Sequence, residues 1–114
     1  MKIINRKQFL ALPEGVLYAK FNPCIFGDIA IKEESLSNDW YYQDLLELDV
    51  NDSGEWADTL FEGMEKGTSI TMDFDCVSRD GLFDEEQLFA VFEKEDVISL
   101  IERLKKVAPN YPSI

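Results

Sequence analysis

Apolar residues along this chain repeat with two periods, and each change of period marks an element. Met1–Ile4 reads as the start of a short strand. Asn5 is a helix cap for Arg6–Leu12, which carries Phe9, Leu10 and Leu12, and Pro13-Glu14-Gly15 stops it. Val16–Phe21 is a strand. Ile25–Lys32 is the next, with Ile25, Gly27, Ile29 and Ile31 on one face. Asn22-Pro23 between them is a turn or bulge signal, so the two strands form a hairpin. Residues 33–39 read as a polar connection. Trp40–Val50 is open to strand or helix, and the alternation of Leu46, Leu48 and Val50 favours strand.

The clearest helix start follows. Asp52 lies three residues before Glu55, the spacing of a capping box. Trp56, Leu60, Phe61 and Met64 then fall on one helical face, and Gly67 closes the helix as a C-cap. Thr68–Val77 alternates, with Ile70, Met72, Phe74 and Cys76 on one side and Thr71, Asp73 and Asp75 on the other. Ser78–Gly81 is a turn and Gln87–Phe92 a strand. A last helix, Glu95–Val107, places Val97, Ile101 and Leu104 on one stripe with Ile98 beside it. Its acids lie at the start and its bases at the end, matching the macrodipole. The order predicts one α+β domain over residues 1–114. Its sheet is mainly antiparallel, with four to five strands and two to three helices on one face. The other face would be solvated and carry Asp73 and Asp75.

Composition narrows the chemistry. The 114 residues hold 23 acidic against 11 basic side chains, a net charge of −12. Residues 1–32 carry +3, residues 33–102 carry −18, and residues 103–114 return to +3. Such a surface repels itself and disfavours direct contact with nucleic acid. It suits a basic protein or nucleoprotein partner. An apolar content of 46% is too high for a disordered tail. No apolar run reaches the length of a membrane span and no signal-peptide core opens the chain, so the expected location is cytoplasmic.

There is no histidine, which excludes imidazole-based nucleophile systems and His-ligated metals. Cys24 and Cys76 are too few for a zinc site or a disulfide framework and read as reduced. The six glycines are scattered and form no phosphate loop. Arg79 stands alone in an acidic stretch and is expected to pair with a neighbour.

Two constellations remain. Asp73 and Asp75, followed by Asp80, Asp84, Glu85 and Glu86, form the densest acidic spot. Two carboxylates on one strand face can grip a hard cation, which keeps a metal-dependent enzyme open as an alternative. The spacing does not fit a calcium loop, and the plainer reading is a solvated acidic surface. The run Trp40-Tyr41-Tyr42 is either core or an interface anchor. The expected partner-binding set is therefore Asp73, Asp75, Asp80, Asp84, Glu85, Glu86, Trp40 and Tyr41, with no catalytic residue, metal or cofactor. A homodimer is compatible with an uncovered sheet face pairing with itself.

Phe9-Leu10-Ala11-Leu12-Pro13-Glu14-Gly15, Phe21-Asn22-Pro23-Cys24-Ile25-Phe26-Gly27, Arg79-Asp80-Gly81-Leu82-Phe83-Asp84 and Gln87-Leu88-Phe89-Ala90-Val91 together span most of the chain. In these segments it resembles small acidic proteins of phages and prophages. The resemblance implies a context, blocking of host defence or host enzymes, of which anti-CRISPR proteins and DNA mimics are the known types. It assigns no site residue. The resulting expectation is a non-enzymatic inhibitor that covers a basic nucleic-acid-binding surface of a host complex. An immunity protein against a toxin nuclease would carry the same charge signature.

Overall fold

In the computed structural model, which describes all 114 residues, the elements run β1 (Lys2–Ile4), α1 (Arg6–Leu10), β2 (Val16–Asn22), β3 (Ile25–Leu36), β4 (Asp39–Asp44), α2 (Ser53–Lys66), β5 (Val77–Arg79), β6 (Leu88–Val91) and α3 (Lys94–Val107). The six strands form one sheet in the order β1-β6-β2-β3-β4-β5, and every neighbouring pair is antiparallel. The fold is α+β as predicted, with one strand more than expected.

Local signals set the helix ends. The Asn5 side chain accepts from the Gln8 N–H at 2.9 Å, and the Gln8 side chain accepts from the Asn5 N–H at 3.0 Å. This reciprocal cap fixes α1 despite its five residues. Asp52 accepts from the Glu55 N–H at 2.8 Å, and Gly67 ends α2 in the left-handed region at φ 65°. Glu55 reaches back to the Asn51 N–H, at 3.1 Å, rather than to that of Asp52, so only half of the expected capping box forms.

The core lies between α1 and one face of the sheet. Phe9 stacks on Phe89 with ring centroids 3.9 Å apart and planes 3° from parallel. Trp40 meets both rings edge-on at 5.2 and 5.3 Å, and its Nε1 donates to Tyr18 Oη at 3.0 Å. These four rings and Ala30 form the buried apolar cluster. Lys32 is fully buried beside them. Its Nζ donates to the Leu12 and Glu33 carbonyls and to Ser35 Oγ, at 2.9, 3.0 and 2.9 Å. Burial lowers its pKa, partly offset by Glu14 and Glu33. The ammonium thus ties the end of α1 to β3.

Four expectations are corrected. Residues 33–36 are not a polar connection but the end of β3, because a tight turn with Ser37 at φ 57° lets the strand run on to pair with β4. Trp40–Val50 is strand only to Asp44. Thr68–Val77 is not a sheet strand: only Val77–Arg79 pairs with β4, and it includes two residues predicted as turn. The alternation upstream instead serves a minimal ladder with residues 47–49. That ladder is one bridge, Leu48 with Met72, flanked by Asp49 N–H to Thr71 O and Asp73 N–H to Glu47 O, both 2.9 Å. Finally, helices do not jointly cover one face. Only α1 supplies the buried core, while α2 and α3 touch the sheet sparsely and contain no buried residue. The radius of gyration, 16.3 Å, accordingly exceeds the roughly 13 Å of a compact chain this long.

Candidate binding surface

Residues 45–76 form a lobe beside the sheet. The short ladder holds segments 47–49 and 71–73 together, and α2 lies against them. At Gly63 an added Cβ would sit 2.7 Å from Ile70 Cδ1, which shows how closely α2 approaches the returning segment. Trp56 and Leu60 border a cleft with Asp44, Leu46 and Leu48.

The rest of the apolar face of α2 is open. Trp56, Ala57, Leu60, Phe61 and Met64 line a wholly apolar depression of about 250 Å³. Phe61 is 62% and Met64 74% exposed, and Leu46, Trp56, Met72 and Phe74 are exposed as well. The same lobe carries nine carboxylates: Glu47, Asp49, Asp52, Glu55, Asp58, Glu62, Glu65, Asp73 and Asp75. Lys66 is the sole base, giving the lobe a net charge of −8.

The structure divides the predicted acidic cluster between two places. Asp73 and Asp75 belong to this lobe, not to a sheet face. Asp73 is half-buried, and its carboxylate accepts from the Asp75 N–H at 2.8 Å. Asp80, Asp84, Glu85 and Glu86 lie instead on the loop joining β5 and β6. Asp80 is a structural partner there: its carboxylate, 5% exposed, pairs with Lys20 Nζ at 2.7 Å. Asp84 accepts from the Glu86 N–H at 3.0 Å, and its carbonyl accepts from Arg6 at 3.4 Å. Glu85 and Glu86 are exposed.

The aromatic pair also divides. Trp40 is 1% exposed and belongs to the core, so the interface reading fails for it: its ring is the wall that Phe9 and Phe89 pack against. Tyr41 is half-buried, beside Arg79 on the neighbouring strand. Arg79 does pair with a neighbour, since its Nε reaches Asp39 Oδ2 at 2.5 Å. Asp39 is fully buried and also accepts from the Gly81 N–H at 3.1 Å. Burial pushes its carboxyl up, but Arg79 and the Gly81 and Trp40 N–H groups outweigh that and hold it below the ordinary 3.8.

A second concavity, about 280 Å³, opens on the α1 side of the sheet between Tyr18, Lys20, Asp28, Tyr42, Asp44 and Asp80. The Lys20–Asp80 pair spans it. Burial, with Asp44 and Asp80 nearby, raises the Tyr42 hydroxyl above its ordinary value. No three acidic or thiol side chains converge as a metal-ligand set anywhere in the molecule. No helix is long and apolar enough to cross a membrane.

Sequence reasoning passed over Leu46, Trp56, Phe61, Met64 and Phe74 as exposed apolar residues because their periodicity reads as core-facing. The signal that points to them is the charge around them: nine acids and one base in 32 residues is a poor wrapping for a buried helix. No protein-family model matches the chain, and neither a curated protein nor a solved structure matches it.

Proposed function

We propose that this chain is a non-enzymatic inhibitor that docks its α2 lobe onto a basic, nucleic-acid-binding surface of another protein. One observation carries the reading: six large apolar side chains stand exposed among nine carboxylates and a single base. A groove that holds nucleic acid offers Arg and Lys to the phosphates and apolar or aromatic surface to the bases. The lobe is complementary to both. Its charge would steer encounter and its aromatic and thioether side chains would slow release. The resemblance to small phage proteins supports a host nucleic-acid-handling complex, of the kind anti-CRISPR proteins block, as the class of partner.

The test is capture by tagged protein from host lysate at low and high salt, with nucleic acid as competitor. The expected result is a nucleic-acid-binding complex that survives high salt and is displaced by the competitor. Asp58→Lys with Glu62→Lys should slow association by about tenfold or more. Phe61→Asp with Met64→Asp should instead speed dissociation, by about thirtyfold if the pair acts as a hot spot. Capture of a toxin nuclease would make the same lobe an immunity surface. Capture that ignores all four substitutions would overturn the assignment.

A further inference from the structure

The apolar surface of α2 does not end on the lobe. Trp56 and Leu60 line the depression on α2 and also the cleft, about 420 Å³, where the lobe meets the sheet. Asp28 and Asp44 line that cleft and also the concavity of about 280 Å³ that holds Tyr18 and Tyr42. The three hollows share walls and run on as one groove, apolar at the α2 end and polar at the sheet end. Strand geometry builds the junction. Where β2 takes two steps, Ala19 to Phe21, β3 takes three, Ile29 to Phe26, so a bulge falls at Gly27-Asp28 and re-aims the chain there. Asp44 lies opposite Ala30 on the next strand. Gly27 and Ala30 line the same concavity and are too small to fill it.

The charges of the groove are unbalanced. Its cleft and concavity hold four carboxylates, Asp28, Asp44, Glu47 and Asp80, against one ammonium, Lys20. Lys20 is committed to Asp80 at 2.7 Å. Asp44 accepts one N–H, from Leu46 at 3.2 Å, and no base pairs with Asp28 or Asp44. The surplus therefore sits on the two residues that join the hollows. A metal ion is a poor match, because no three ligating side chains converge here. An organic cation with an apolar stem matches both ends of the groove.

A guanidinium fits this combination better than an ammonium. It is planar, offers donors to two carboxylates at once and stacks on an aromatic ring. Tyr42 supplies a ring on the same wall as Asp28 and Asp44. The methylene stem of an arginine needs apolar surface beside the charged head, and Leu46, Trp56 and Leu60 supply it in the adjoining cleft. We infer that the groove is a receptor for one arginine side chain of the partner, with its head between Asp28 and Asp44 beside Tyr42 and its stem along Trp56 and Leu60. The inference rests on the reading of the α2 lobe as a docking surface for a basic protein, and names the residue that the lobe's neighbouring groove would take from it.

Two probes test it without the partner: N-acetyl-arginine amide and N-acetyl-lysine amide, each titrated into the whole protein. Binding is followed by nuclear magnetic resonance at the Trp56 indole N–H and the Gly27 and Asp44 amides. The expected result is saturable shifts at all three, with the arginine probe bound about tenfold tighter than the lysine probe. Asp28→Asn with Asp44→Asn keeps the shape of both side chains and an acceptor for the Leu46 N–H, and should weaken the arginine probe by about tenfold or more. Tyr42→Leu should weaken it by about threefold to fivefold. No saturable shift, equal binding of the two probes, or indifference to the paired Asn substitutions would overturn the inference. A partner captured through Phe61 and Met64 by a protein that ignores the arginine probe would remove the receptor and leave the docking lobe standing. Arginine binding without any captured partner would do the reverse.

Discussion

The sheet with α1 and the lobe of residues 45–76 are opposite solutions to the same composition. Every buried residue of the chain lies in the first region or, as Gln87, directly beside its strand β6, and none lies in the second. The sheet half even buries charge: Lys32 and Asp39 have no exposure, yet each is matched by three acceptors or by a guanidinium and an N–H group. The lobe keeps its charges outside and leaves its largest apolar side chains uncovered. The difference separates two uses of apolar surface. One half consumes it in folding. The other leaves it exposed on a stretch that carries nine carboxylates, a combination that repels other acidic surfaces.

The strongest way to break this comparison is to remove one phenylalanine from each half. Phe9→Ala should cost about 3–5 kcal/mol in urea unfolding, because the cavity lies at the centre of the aromatic cluster. Phe61→Ala should cost less than about 1 kcal/mol, because most of that ring is already in water. Equal losses would mean that the lobe is as integral to the fold as the core.

Asp39 sharpens the comparison through pH. Its carboxyl is held below 3.8 in the folded protein, so its contribution is present above that value. It is lost as pH falls through the depressed folded-state pKa. Asp39→Asn should cost about 2 kcal/mol at neutral pH, the worth of hydrogen bonds to a charged group, and should flatten the stability profile at the acid end. Urea midpoints across acid pH, compared between the two proteins, would show it; parallel profiles would remove Asp39 from its structural role.

The smallest effect concerns the β3–β4 turn, which belongs wholly to the sheet half. Ser37 sits at φ 57°, a conformation that strains a side chain and suits glycine. Ser37→Gly should raise stability by about 0.5–1 kcal/mol, read as a shift in thermal midpoint, and leave partner capture by the lobe unchanged. A loss of capture would show that the two halves are coupled.

Much of the fold was legible because its signals are local. The caps at Asn5, Asp52 and Gly67, the β2–β3 hairpin and the α+β class all follow from residues within a few positions of one another. The candidate surface was legible only in part. Asp73 and Asp75 fall within it, but Asp80 proved to be a buried partner of Lys20 and Trp40 a core residue. Neither outcome is written in the neighbouring sequence, because each depends on a strand or helix far away in the chain.

The sequence by itself determined where most elements begin and end and which side of each helix is apolar, since hydrogen-bonded caps and side-chain periodicity act over one or two turns. Only the tertiary structure decided which apolar sides are covered. Phe9 on α1, Phe61 on α2 and Leu104 on α3 have equivalent local patterns. Phe9 alone meets rings brought in by three distant strands, and burial is a property of those long-range contacts rather than of the stripe itself.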